Sequence, residues 1–401
     1  MRTLKSLRLH IGVFGRMNVG KSSFLNRITG QNISIVSDIA GTTTDIVEKS
    51  MELLPIGPIN FLDTAGVDDS STLGSERIKK TLSILNRTDV AILICDYDGI
   101  TDYEKNLIEK FTELNIPYCV VINKSDIGSI STNSLTEIEN YTKNYLITSV
   151  LSDENFVFNF KKLLVSLLPE DFINSPQIVS DLVSAKSTVV LVIPIDKEAP
   201  KGRIILPQVQ TLRELLDNNC ISVVVKESEL KEALDNMKVP PALVVTDSQA
   251  FKKVSEIVPE AIPLTSFSIL FARLKGDLNA FINGVKAIDN LQDGDKVLIL
   301  ESCTHHPVED DIGRVKIPRL LKQKIGKDLV IENFSGHDFP EIQDYKLIIH
   351  CGACMTNRKE VLSRILLANN AGIPITNYGI TISYCLGILP RAVKSLQNKS
   401  L

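Results

Sequence analysis

The sequence has no tryptophan, only 5% aromatic residues and just seven cysteines in 401 residues. The absence of tryptophan removes one of the aromatic side chains on which RNA-binding proteins stack bases. Seven irregularly spaced cysteines are too few for a disulfide framework, so a reducing compartment is expected and metal binding is the natural use for any that cluster. There is also no run of basic residues: 44 Lys and Arg face 48 Asp and Glu, scattered along the chain, for a net charge of -4. That balance argues against broad electrostatic capture of nucleic acid or anionic lipid. No apolar run approaches 18 residues, so no transmembrane helix is expected. The first residues, MRTLKSLRLHIGVFG, run straight into a nucleotide-binding motif, so no secretory leader is expected. The expectation is a soluble, cytoplasmic protein.

What is present reads as globular: 44% hydrophobic and 23% charged residues. The length exceeds what one hydrophobic core usually organises, so two or three domains are expected. From Leu9 to Leu168 apolar runs (HIGVFG, INFLD, VAILICD, PYCVVIN) alternate with helical patterns, which predicts a mostly parallel sheet flanked by helices. Pro169 and the polar stretch after it break the alternation. A second series follows, with strands in STVVLVIPI, ISVVVK and ALVVTD and helices between them. A third contains VLILES, the helix-like IPRLLKQKIG, LVIENF, YKLIIHCGAC and a helix over Arg358 to Asn370. The expected fold class is therefore α/β throughout, with a nucleotide-binding domain at 1–170, an association module at 171–265 and a third α/β domain at 266–401.

Gly15-Arg16-Met17-Asn18-Val19-Gly20-Lys21-Ser22 matches GxxxxGK[ST] between an apolar strand and a helical start that includes Ser23. Gly15 and Gly20 let the backbone curl around phosphate oxygens, Lys21 supplies a point charge to the β- and γ-phosphates, and the Ser22 hydroxyl can hold Mg²⁺. Asp63-Thr64-Ala65-Gly66 ends the strand INFLD, with a carboxylate placed to hold Mg²⁺ through water and a glycine placed to sense a γ-phosphate. Asn123-Lys124-Ser125-Asp126 follows PYCVVI. The Asp126 carboxylate can accept from the N1–H and N2–H₂ edge of guanine, which adenine does not present, so the nucleotide reads as GTP.

Order and spacing of these motifs resemble the translation-factor-like GTPases, particularly the Era and TrmE (MnmE) branch, over about the first 168 residues. The resemblance implies that Thr43, in Gly41-Thr42-Thr43-Thr44-Asp45, is a second hydroxyl on Mg²⁺. It also implies that Asn18 supports a K⁺ ion which neutralises transition-state charge and stimulates hydrolysis. The chain departs from the pattern at Val67, where a water-orienting Gln would follow Gly66, and at Ser71, where the branch has a glutamate. Asp68, Asp69 and Glu76 are nearby carboxylates with no clear claim to that role. Slow intrinsic turnover, suited to a switch, is expected. Thr148-Ser149-Val150 stands where a fifth guanine-contacting motif would lie and departs from its usual Ser-Ala-Lys.

Cys303-Thr304-His305 ends one strand, and Cys351-Gly352-Ala353-Cys354 fills the turn between another strand and a helix. Parallel strands bring their C-terminal ends to one edge, so the three sulfurs can converge there. Three thiolates suit an iron–sulfur cluster or zinc. His305 is either a fourth ligand or an outer hydrogen-bond donor, and His306, Glu309, Asp310 and Asp311 are within sequence reach. Cys95, Cys119, Cys220 and Cys385 have no such partners and read as structural.

The combination of a GTPase domain, a middle α/β module and Cys-x-His…Cys-x-x-Cys, together with Asp68-Asp69 and the segment IPITNYGITISYCLGIL, resembles the HydF family of FeFe-hydrogenase maturation over the whole chain. The resemblance implies a homodimer formed through the middle module and a 4Fe-4S cluster on Cys303, Cys351 and Cys354. It further implies a transiently carried diiron precursor, apo-hydrogenase as its recipient and two radical-SAM maturases as partners. Two other readings stand beside it. One is a tRNA- or ribosome-associated GTPase with a structural zinc site. The other is an independent iron–sulfur enzyme, for which the chain offers neither a nucleophile–base pair nor a CxxxCxxC motif.

Overall fold

Runs of Val, Ile and Leu long enough for a strand and buried on both faces set the frame of this chain. The computed structural model describes residues 8–30, 47–63, 81–169, 176–195, 204–302, 311–354 and 356–397. Contacts divide the chain into two compact units, Met1–Ser175 and Pro176–Leu401.

In chain order the first unit contains β1 (Leu9–Phe14), α1 (Lys21–Thr29), β2 (Val47–Leu53), β3 (Gly57–Asp63), β4 (Val90–Cys95), α2 (Asp102–Glu113), β5 (Tyr118–Ile122), α3 (Thr132–Tyr141), β6 (Tyr145–Ile147) and α4 (Phe156–Ser166). The sheet order is β2-β3-β1-β4-β5-β6. All neighbours are parallel except β2 and β3. Side chains alternate across the sheet into two cores: Ile11, Val13, Ile92 and Phe24 on one face, and Phe14, Leu93, Val120 and Phe111 on the other. β2 is the strand without an apolar signature. It is held by polar pairing to buried partners: Asn60 donates to Glu48 at 2.9 Å and accepts from Ser50 at 2.8 Å, while Arg87 donates to Glu48.

The second unit carries two four-stranded sheets. The first is built from β7 (Thr188–Val192), α5 (Leu206–Asp217), β8 (Ile221–Val225), α6 (Leu230–Asp235), β9 (Leu243–Thr246), α7 (Phe251–Ile257), β10 (Leu264–Ser266) and α8 (Phe267–Lys275), in the order β10-β9-β7-β8. After α9 (Leu278–Gly284) come β11 (Lys296–Glu301), α10 (Ile317–Ile325), β12 (Val330–Ser335), β13 (Leu347–His350), α11 (Arg358–Asn370), β14 (Ile375–Asn377), α12 (Tyr378–Cys385) and α13 (Leu389–Gln397), with sheet order β12-β11-β13-β14. Every pair in both sheets is parallel. One continuous apolar core runs through both sheets, from Val190 and Leu243 to Leu300 and Ile348. The expected boundary near residue 265 thus falls inside this unit.

The fold is α/β with mostly parallel sheets, as the alternation of strand and helix patterns predicted. Parallel strands place their C-terminal ends, and the loops that follow them, on one edge of each sheet. That edge carries the P-loop after β1 and Asp63 at the end of β3. In the second unit it carries Ser302 after β11 and Cys351 after β13. Among the described residues no helix is long and apolar enough to cross a membrane.

Candidate functional site

The P-loop connects β1 to α1 through backbone that side chains tolerate poorly. Gly15 has φ +141, and a Cβ there would lie 2.2 Å from the Ile94 carbonyl oxygen. Gly20 has φ +102, and its Cβ would lie 2.3 Å from Asn123 Nδ2. Only glycine fits either position. Asn18, between them, takes the left-handed conformation at φ +63, which asparagine accommodates better than most residues. Gly20 caps α1 without a side-chain acceptor, so the first N–H groups of the helix face the loop, where an anion binds most readily. Lys21 is buried, its ammonium donating to the carbonyls of Gly15 at 2.5 Å and Arg16 at 2.9 Å. Ser22 and Ser23 occupy the first turn of the same helix.

Arg16 anchors the outer side of the loop. Its guanidinium donates to Glu104 at 2.9 Å and to the Gly99 carbonyl at 3.2 Å, and lies 3.4 Å from Asp96. Glu104 is fully buried because its other oxygen closes the N-terminus of α2, accepting from the Thr101 N–H at 2.9 Å and from the Thr101 hydroxyl. The P-loop is thereby tied to the loop after β4.

Asn123 joins three loops. Its amide nitrogen donates to the Val19 carbonyl at 2.8 Å and its amide oxygen accepts from the Val150 N–H at 2.9 Å. Ser125 N–H adds a bond to the Thr148 carbonyl at 3.3 Å. Thr148-Ser149-Val150 is thereby bonded through its backbone to the Asn-Lys-Ser-Asp turn. Lys124 sits at φ +65, which turns the chain sharply so that Asp126 lies exposed beyond it. Asp63 is buried at the end of β3. Thr43, Gly66, Val67, Asp68, Asp69, Ser71 and Glu76 lie outside the described residues.

In the second unit the ends of β11 and β13 meet. Their last paired residues are Leu300 and His350. Past that pair, Cys351 N–H donates to the Leu300 carbonyl at 2.9 Å and Ser302 N–H donates to the Cys351 sulfur at 3.3 Å. The residue preceding Cys303 in the chain thus touches the sulfur of Cys351. Ala353, at φ +51, turns the backbone between Cys351 and Cys354. The loop is then fixed to the C-terminus of α8: buried Lys275 donates to the Thr356 carbonyl at 3.0 Å, and Arg358 donates to the Leu274 carbonyl at 2.6 Å.

Electrostatics separate Cys351 from Cys95, Cys119 and Cys385. Burial pushes the thiols of Cys95 and Cys119 up to about 12 and that of Cys385 up to about 11. At Cys351 burial acts in the same direction, but the adjacent His350 ring and the N–H groups of Ala353 and Ser302 outweigh it and bring the thiol down to about 7. A thiol held near neutrality by N–H donors is suited to ligating a soft metal as thiolate. Cys303, His305, His306, Glu309 and Asp310 lie outside the described residues, and among those described no group of three or more His, Cys, Asp or Glu side chains is assembled to hold a metal ion. Asp311 is buried, with its carboxylate accepting from the Arg314 N–H at 2.8 Å.

Sequence reasoning passed over three residues that build this edge: Ser302, His350 and Arg364. His350 stands directly before Cys351 at the end of an apolar strand, which was the available signal. Arg364 looked like any charged residue of an amphipathic helix.

Comparison with known proteins gives the affiliation. Residues 178–276 match the model of the hydrogen maturase F dimerization domain, and residues 279–395 match that of the hydrogen maturase F tetramerization domain. The chain belongs to the hydrogen maturase F family. Residues 10–124 match a third model, described as a 50S ribosome-binding GTPase. The chain is similar to the tRNA modification GTPase MnmE of Caldicellulosiruptor saccharolyticus, 36% identical over 174 residues that make up 42% of this chain and 36% of that protein. It is also similar to GTPase Der of Campylobacter hominis, 36% identical over 160 residues, 40% of this chain and 34% of that protein. The chain spans about a third of the length of the curated relatives it matches.

Proposed function

We propose that this chain is a GTP hydrolase and metallocluster scaffold of FeFe-hydrogenase maturation, which holds a 4Fe-4S cluster on Cys303, Cys351 and Cys354. Its cargo is a diiron precursor delivered to apo-hydrogenase, and the two radical-SAM maturases are its partners. The observation that carries this reading is the contact of Ser302 N–H with the Cys351 sulfur, in a chain that matches both maturase domain models and also bears a P-loop. Ser302 and Cys351, 49 residues apart in sequence, meet at one sheet edge, which supports a shared site for the chain that continues to Cys303 and the turn that holds Cys351 and Cys354.

At the nucleotide site, Gly15, Gly20 and the first N–H groups of α1 cradle the phosphates, and the Lys21 ammonium exchanges its two carbonyl partners for phosphate oxygens. Ser22 and Thr43 hold Mg²⁺ directly and Asp63 holds it through water. Asp126 reads guanine, supported by Asn123 and Lys124, while Gly66 senses the γ-phosphate. Asn18 supports a K⁺ ion. With Val67 in place of a water-orienting glutamine, turnover is slow and hydrolysis serves as a switch for partner affinity.

At the metal site, three thiolates leave one iron of a cubane to a replaceable ligand, drawn from His305, His306, Glu309, Asp310, Asp311 or an exogenous molecule. When bound, the cluster supplies an open iron to which a metal complex can attach. The chain associates through its middle module, in keeping with the match to a dimerization domain, and works in the cytoplasm.

Anaerobic reconstitution of the full chain, with iron, sulfide and zinc analysis and EPR, tests the reading. A cubane spectrum with about four irons per chain is expected. Stoichiometric zinc without iron would overturn it in favour of a GTPase with a structural zinc site.

A further inference from the structure

Among the described residues Arg364 is the largest fully buried side chain, and most of its hydrogen bonds leave its own helix. One terminal nitrogen donates to the Ser302 hydroxyl at 2.9 Å and to His350 Nε2 at 3.0 Å. The other donates to the Gly336 carbonyl at 2.7 Å and pairs with Glu360, one turn earlier on α11, at 2.9 Å. Ser302 follows β11, His350 ends β13 and Gly336 follows β12. A single guanidinium therefore joins the C-terminal ends of three neighbouring strands.

The ladder explains why such a device is useful. Pairing of β11 with β13 ends at Leu300 and His350. Beyond it the Cys351 N–H bond to the Leu300 carbonyl, at 2.9 Å, carries the ladder one step further, and Cys303 and Cys351 are the next residues along each chain after Ser302 and His350. Arg364 acts at that point. Its guanidinium lies 3.0 Å from His350 Nε2, and Nδ1 on the other side of the same ring lies 2.8 Å from the Cys351 carbonyl oxygen. The ring is thereby held as a strut between α11 and the backbone of Cys351. Glu360, as deeply buried as Arg364, balances the charge and accepts in turn from the half-exposed His337 ring. The guanidinium is buried with its Nε unpartnered among the described residues, a cost that an apolar residue of the same volume would avoid; a planar fork whose two terminal nitrogens reach several acceptors at once is what only arginine offers.

We infer that Arg364 is the positioning residue of the cysteine edge: it fixes the distance between the chain leaving β11 toward Cys303 and the chain leaving β13 toward Cys351. The staple itself stands on geometry alone; its use in retaining a cluster rests on the proposed function.

The test compares full-length wild type with R364M, R364K and S302A, each checked by thermal melting and GTP hydrolysis. In the metal-free chain, R364M is expected to speed amide exchange in two peptides at once, 297–302 and 347–354, while 188–192 stays as in wild type. R364K, which keeps the charge but cannot span both acceptors, should do the same to a smaller extent, and S302A should loosen 297–302 alone. After anaerobic reconstitution, the arginine variants should lose iron to a chelator roughly tenfold faster than wild type. Folded R364K or R364M with unchanged exchange in either peptide overturns the staple. If wild type takes up no iron–sulfur cluster, the proposed function fails, and the exchange measurement still decides the role of Arg364.

Discussion

The side-chain amide of Asn123 donates to the carbonyl of Val19, 104 residues earlier, at 2.8 Å, and its oxygen accepts from the N–H of Val150. One buried side chain thus sets the P-loop, the Asn-Lys-Ser-Asp turn and the Thr-Ser-Val segment relative to each other. Asn123→Ala would leave a buried carbonyl and a buried N–H without their partner, a loss of about 1–3 kcal/mol. We expect weaker GTP binding with a lowered melting temperature, read by nucleotide titration and calorimetry. A variant with wild-type affinity would show that the three loops hold their positions without it.

Asp126 lies exposed beyond the turn made by Lys124, and its carboxylate can accept twice from the guanine edge. Asp126→Asn replaces one acceptor with a donor. That pattern fits xanthine, which carries a carbonyl where guanine has its amino group. The variant should lose GTP hydrolysis and gain hydrolysis of xanthosine triphosphate, each by roughly a hundredfold or more, since a site built to hydrogen-bond one group strongly rejects the analogue that leaves it unpaired. Unchanged preference for GTP would remove Asp126 from the guanine site.

Much of this arrangement was legible in the residues. The helix over Arg358–Asn370 appears with the bounds its pattern predicted, and each apolar run named for the last two series is a strand. β2 was not legible, because its polar residues Glu48, Lys49 and Ser50 carry no apolar alternation and the strand is held by long-range pairing to Asn60 and Arg87. Arg364 was hidden for a related reason. Its role comes from three strand ends that only the fold brings together, and nothing in the local pattern of α11 separates a buried arginine from a solvated one.

The Cys351 thiol falls from its ordinary value of 9.0 to about 7, because the His350 ring and two N–H groups more than offset burial. The depressed value means that the folded state favours the thiolate, so its contribution to stability is complete above pH 9 and is lost as pH falls through 7. In the metal-free protein, alkylation of Cys351 by iodoacetamide should therefore rise with a midpoint near pH 7. Cys385, pushed up to about 11, should remain slow across the same range. Peptide mass spectrometry of a pH series separates the two, and a Cys351 midpoint at 9 or above would contradict the geometry.

β8 is the edge strand of its sheet, and it exposes Ile221 by 55% and Val224 by 43%. An uncovered apolar edge invites pairing with another strand, and residues 178–276 match a dimerization domain. Val224→Lys sets a charge on that edge and should shift the protein toward smaller species in light scattering, with GTP hydrolysis retained. An unchanged mass would place the interface on another face of the middle module.

Asn18 stands exposed in the P-loop in the left-handed conformation, φ +63, where its carboxamide oxygen is available to a cation beside the phosphates. A monovalent ion there would neutralise charge that develops between the β- and γ-phosphates, the task an arginine finger performs elsewhere. K⁺ is larger and more weakly hydrated than Na⁺ and exchanges water for a carboxamide oxygen more readily. GTP turnover should then be faster in K⁺ than in Na⁺ at equal ionic strength, and Asn18→Ala should abolish the difference by lowering the K⁺ rate alone. Because the comparison is made within one protein at fixed ionic strength, general screening cancels out of it. Equal turnover in the two salts would mean that Asn18 serves only the loop's backbone geometry.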